Sequence, residues 1–147
     1  MNYPYRILMM NLDALQVKYP FIEVLYYGTS VLGKRIPYIK LGNGPKEVFY
    51  SATIHANEWI NSVVFMKWIE DFCEAYSKGE DWLGYNLQVI WNTTSIYLAP
   101  MLNPDGVDLV TWVMNPNLPS YKEAVRIAED YPSIPFPDGW KSNIRRN

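Results

Sequence analysis

The chain has 147 residues, 49% of them hydrophobic and 19% charged, a composition that excludes a disordered polymer and suits one domain, or part of one, with a real core. Its formal charge of -2 gives no basic field to neutralise phosphates, so nucleic acid is not an expected partner. Cys73 is the only cysteine, which excludes an internal disulfide and leaves the redox compartment open.

At the amino terminus Asn11 and Asp13 interrupt the apolar residues before they reach the length of a signal-peptide core, so no export signal is read and the compartment is left unassigned. Leu8, Leu12, Leu15 and Tyr19 recur at helical spacing and Pro20 ends the pattern, predicting an amphipathic helix over residues 4–19. Residues 23–29 and 35–41 read as two strands joined by a turn between Gly28 and Gly33, followed by a second turn at Gly42-Asn43-Gly44-Pro45.

Residues 48–54 form a nearly continuous apolar run, the pattern of a strand buried on both faces, and it delivers His55 to that strand's carboxyl end. Ile60, Val63, Val64, Trp68, Phe72 and Tyr76 keep three-and-four spacing opposite Lys67, Glu70, Asp71 and Glu74, which predicts a helix over residues 59–76 that encloses Cys73 as a small buried hydrophobe. Residues 82–104 carry no charge, but Asn86, Gln88, Asn92, Thr93, Thr94, Ser95 and Asn103 would strand polar groups in hydrocarbon, so no membrane span is expected.

A second buried-strand pattern covers residues 96–102 and closes on Asn103-Pro104-Asp105-Gly106, a turn signal, with a short helix expected over residues 107–113. Prolines at 116, 119, 132, 135 and 137 then break the chain, so residues 115–147 read as a Pro-rich excursion with helical pattern only over residues 121–130. No internal repeat is present. Alternating strand and helix predict an α/β fold, a mixed sheet with helices on both faces, over a single domain spanning residues 1–147.

His55 is the chain's only histidine, and Glu58 follows it by three residues where the strand pattern gives way to the helical one. That spacing turns an imidazole and a carboxylate toward the same side of a first turn, where the mixed nitrogen and oxygen donors suit zinc. The same spacing also fits a hydrogen-bonded core histidine beside a glutamate that favours the positive end of the next helix.

Three strings go further together than either residue alone: Tyr50-Ser51-Ala52-Thr53-Ile54-His55-Ala56-Asn57-Glu58-Trp59, Pro100-Met101-Leu102-Asn103-Pro104-Asp105-Gly106-Val107, and Trp140-Lys141-Ser142-Asn143-Ile144-Arg145. In order and spacing they resemble the zinc carboxypeptidase family, and within it the bacterial γ-D-glutamyl-diamino acid endopeptidases that cut peptidoglycan stem peptides. The resemblance begins at Tyr19-Pro20 and implies a carboxypeptidase-like fold, a zinc cofactor and a peptide substrate. It makes His55 and Glu58 the first two zinc ligands and Arg145 the cation that binds substrate and holds the developing oxyanion, a role suited to a permanently charged guanidinium.

Asn57 stands where carboxypeptidases that trim free C-termini carry an arginine. It is therefore assigned to substrate binding, and its presence favours the endopeptidase-like branch; a helix cap is its other reading. The resemblance also implies a later histidine ligand and a general-base glutamate, for which no position exists here. The chain thus reads as the N-terminal part of a catalytic domain, inactive alone and able to self-associate through an open sheet edge. The competing functions are a structural or regulatory partner module that pairs through that open edge, and a non-catalytic cell-wall peptide or glycan module built on Trp82, Tyr85, Trp91, Trp112 and Trp140, aromatics that core packing also accounts for.

Overall fold

The computed structural model describes residues 2–144. Its first helix, α1 (Tyr5–Lys18), lays Leu8, Leu12 and Leu15 on one buried stripe and ends at Tyr19, one residue before the proline that cannot continue it. Each such buried leucine contributes roughly 1.5–3 kcal/mol of burial energy. Strands β1 (Glu23–Thr29) and β2 (Arg35–Leu41) follow as an antiparallel hairpin with the bounds that the alternating pattern predicts.

Strand β3 (Lys46–Ser51) leads through a loop and a single 3-10 turn, Ala56–Glu58, into α2 (Ile60–Lys78). The helix buries Met66, Ile69, Phe72 and Cys73 and stops where Gly79 takes a left-handed conformation, φ 69°. Two elements were not legible in the sequence: a small hairpin of β4 (Asp81–Trp82) and β5 (Tyr85–Asn86), and the short helix α3 (Leu87–Thr93). Strand β6 (Thr94–Ala99), α4 (Pro104–Val110) and α5 (Pro119–Glu129) complete the order.

The main sheet is mixed, in the order β1-β2-β6-β3, with β6 antiparallel to β2 and parallel to β3. Ile39, Leu41, Ile96 and Leu98 from the sheet join the stripes of α1 and α2 in the principal core. Trp59, Trp68, Trp82 and Trp91 pack against that core, so four of the six tryptophans serve it. A smaller cluster gathers Leu109 and Met114 with Ala124 and Ile144, and Phe136 and Trp140 lean on it.

Two expectations are corrected. β3 is not enclosed on both faces; it lies at one end of the sheet, pairs with β6 alone among the described strands, and leaves Phe49 and Tyr50 about half exposed. Its apolar run is split between the strand and the loop that carries His55. The Asn103-Pro104-Asp105-Gly106 string is not a free turn but the start of α4, because Asn103 caps it by accepting from the Gly106 amide at 3.0 Å and Pro104 takes the first helical position, where no N–H is needed.

The parallel pairing of β3 and β6 brings two loops side by side. Both strands end together, and their outgoing chains stay hydrogen-bonded: Ala52 N–H donates to the Ala99 carbonyl at 2.9 Å, and the Leu102 and Asn103 amides donate to the Ala52 and Thr53 carbonyls at 3.2 Å each. The loop bearing His55 and the cap of α4 are therefore neighbours at the carboxyl edge of the sheet, where open α/β folds place their sites.

Candidate metal centre

Thr53 is the strained hinge of the site loop. Its φ of 54° is unusual for a β-branched residue, and it is 1% exposed. A buried hydroxyl relay holds it: Thr53 Oγ1 lies 2.7 Å from Ser62 Oγ, and the Ser62 hydroxyl donates to the Pro100 carbonyl at 2.7 Å. The Thr53 hydroxyl also lies 3.2 Å from the Glu58 carbonyl, so the loop, the 3-10 turn, α2 and the end of β6 are tied at one point.

Beyond that hinge His55 and Glu58 come together. Nδ1 of His55 is 2.9 Å from Oε1 of Glu58, with the side chains 53% and 39% exposed. The histidine is exposed and hydrogen-bonded to Glu58, so it is not a buried core histidine. Two donors that each sit about 2.0–2.2 Å from a tetrahedral zinc stand roughly 3.3–3.6 Å apart; the 2.9 Å contact is a hydrogen bond between the two side chains, and a small separation of the pair would be needed to admit an ion between them. Among the described residues no further histidine, cysteine, aspartate or glutamate joins them as a third donor.

The cap of α4 buttresses the turn. Gly106 packs so closely on Ala56 that a Cβ on it would stand 2.7 Å from the Ala56 Cβ. Asp105, 3% exposed, accepts from Ser30 Oγ at 2.9 Å, the Leu32 amide at 2.9 Å and Lys34 Nζ at 3.0 Å, which fastens the cap to the β1–β2 turn. Lys34 also reaches Asp108 at 3.0 Å, and Asp108 accepts from the Tyr5 amide at 2.9 Å. Thr53, Ser62, Asp105 and Lys34 brace the turn; Ser62 and Lys34 lie outside the three strings, and Thr53 and Asp105 stand in them without a role read from the sequence.

The third sequence string approaches the same turn. Ala56 N–H donates to the Lys141 carbonyl at 3.0 Å, and Asn103 Nδ2 donates to the Ser142 carbonyl at 3.3 Å. All three strings therefore converge, as far as Ile144; Arg145 lies outside the described residues. Asn57, inside the turn, has a buried Oδ1 without a hydrogen-bond partner, a condition that costs about 1–3 kcal/mol unless a donor arrives. It also lines a cavity of about 540 Å³ shared with Tyr131, Phe136, Trp140 and Lys141.

Comparison with known proteins assigns the chain to a family. The family model for zinc carboxypeptidases of the M14 peptidases matches residues 8–143. The chain is 39% identical over 146 residues to γ-D-glutamyl-L-diamino acid endopeptidase 1 of Lysinibacillus sphaericus, an alignment that covers 97% of this chain and 35% of that protein. It is 34% identical over 91 residues to metallocarboxypeptidase A of Trichophyton rubrum, covering 57% of this chain and 20% of the relative. Bovine thrombin-activatable fibrinolysis inhibitor, solved with a tick carboxypeptidase inhibitor, superposes with a TM-score of 0.68 at 16% identity, over 100% of this chain and 38% of that one, a likeness of fold. The chain spans about a third of the length of the first curated relatives it matches, 35% and 33%. With a family match over nearly its whole length and the family's strings folded into one edge, the chain belongs to the zinc carboxypeptidase family.

Proposed function

We propose that this chain contributes the first part of a zinc metallopeptidase catalytic domain that hydrolyses γ-D-glutamyl-diamino acid bonds in peptidoglycan stem peptides. The observation that carries the reading is the exposed His55–Glu58 pair, 2.9 Å apart at the carboxyl edge of the sheet. Likeness to an enzyme named γ-D-glutamyl-L-diamino acid endopeptidase supports the substrate class. In this reading residues 1–147 fall within one domain and residues 115–147 are an excursion from it.

His55 Nδ1 and Glu58 Oε1 are the donors that would hold zinc, and zinc in such a site supplies an activated water and a polarised carbonyl. Asn57 binds the substrate beside the pair. Arg145 binds substrate and holds the oxyanion, since a guanidinium keeps its charge and several donors at any working pH. A third ligand and a general base have no position in these 147 residues, so the chain by itself is inactive: removal of a general acid-base group alone costs about 10²–10⁴ in rate.

The test is cleavage of L-Ala-γ-D-Glu-L-Lys between its last two residues. A longer polypeptide carrying this chain cleaves it in a zinc-dependent manner and loses that activity in His55→Ala, whereas the 147-residue chain alone does not. Cleavage unaffected by His55→Ala contradicts the proposal.

A further inference from the structure

The cavity beside the metal pair has walls of two kinds. Tyr131, Phe136 and Trp140 give it an aromatic side, and Asn57 and Lys141 a polar one. The Pro-rich excursion and the chain just after α5 build most of it, so it is a product of the segment that the sequence reads as leaving the core. Asn57 belongs at once to this wall and to the turn between His55 and Glu58.

Its polar groups are set but unused. Oδ1 of Asn57 is out of solvent and unpartnered. The Lys141 backbone is fastened to the turn through the Ala56 amide at 3.0 Å, yet its exposed ammonium forms no ion pair among the described residues. The Trp140 indole N–H is already committed to the Ser142 carbonyl at 2.8 Å, and its ring meets Phe136 edge to face at 6.1 Å. What the aromatic wall offers a ligand is apolar surface, and what Lys141 offers is one positive charge.

A γ-linked glutamyl residue matches that pair of walls in a way that an α-linked one does not. Its side-chain carboxyl is consumed in the peptide bond, so its α-carboxylate stays free and anionic one short chain away from the scissile carbonyl. We propose that this cavity is the subsite for the acyl-side residue of the substrate, with Lys141 receiving the free α-carboxylate of a γ-glutamyl unit. The inference rests on the peptidase reading and assigns that reading its linkage specificity. A charge pair against an aromatic wall is screened less than one in open water, which makes the selectivity measurable.

The experiment titrates the 147-residue chain with L-Ala-γ-D-Glu-L-Lys and with the analogue whose glutamyl α-carboxylate is a carboxamide, reading the indole N–H resonance of Trp140, assigned with Trp140→Phe. The carboxylate peptide shifts that resonance and binds about tenfold more tightly, the equivalent of one charge-assisted hydrogen bond. Lys141→Met abolishes the tenfold preference while leaving carboxamide binding unchanged, and Lys141→Arg retains it. Equal binding of the two peptides, an unmoved Trp140, or equal weakening of both by Lys141→Met overturns the assignment. Zinc capture by the same samples reports separately on the peptidase reading, because Lys141 is not one of its ligands.

Discussion

Gly106 and Ala56 meet across two elements: a Cβ at position 106 would stand 2.7 Å from the Ala56 Cβ and equally close to the Asn103 side chain. The cap of α4 is thus a backstop for the turn that carries the proposed ligands. Gly106→Ala forces either the turn or the cap to move and is expected to cost about 1–3 kcal/mol, the usual range for overpacking. Urea unfolding measures the loss, and a parallel zinc titration is expected to show weaker capture than in the parent chain.

Asp105 is expected to be worth more. It is 3% exposed and accepts three hydrogen bonds, one of them from Lys34, whose side chain is only 21% exposed. Asp105→Ala leaves an ammonium with Asp108 alone and orphans two further donors, a loss of about 3 kcal/mol by the usual cost of breaking a buried pair. Thermal unfolding checks it; a change below about 0.5 kcal/mol, typical of exposed pairs, contradicts the tie between α4 and the β1–β2 turn.

Ser62→Ala cuts the hydroxyl relay. It leaves the Pro100 carbonyl without its side-chain donor and removes one partner of Thr53, whose φ of 54° depends on being held. A loss of about 1–3 kcal/mol is expected. Faster hydrogen exchange at the Ala52 and Leu102 amides, which join the two outgoing loops, would locate the effect at the site and not in α2.

Burial pushes the Cys73 thiol up to about 12, with the nearby Glu70 carboxylate adding to the rise. At pH 8 only about one thiol in 10⁴ is ionised at such a value. A disulfide reagent is therefore expected to leave the folded chain unmodified and to react fully once denaturant exposes the helix. Rapid reaction in the native state contradicts the enclosed position of Cys73.

Much of this was legible because packing obeyed period. The stripe Leu8, Leu12, Leu15 and the alternation through Ile39 and Leu41 led directly to α1 and the β1–β2 hairpin. Asp81–Trp82 and Tyr85–Asn86 escaped, since two-residue strands show no period and their turn places Leu83, not only Gly84, at positive φ, 51° and 82°. Residues 103–106 looked like a loop because Asn-Pro marks both turns and helix starts, and only the accepted Gly106 amide distinguishes them. The pairing of His55 with Glu58 followed from spacing, whereas the roles of Thr53, Ser62, Asp105 and Lys141 depend on contacts between segments far apart in sequence, which no local pattern encodes.

Metal capture tests the central claim most directly. The metal-stripped chain, titrated with zinc and probed by X-ray absorption, is expected to bind one ion per chain through a first shell that contains one imidazole nitrogen and a carboxylate oxygen. His55→Ala and Glu58→Gln are each expected to weaken binding by about tenfold or more, at least the effect seen when a metal site loses a supporting group. Zinc bound with equal strength by both variants, or a shell without imidazole nitrogen, contradicts the account.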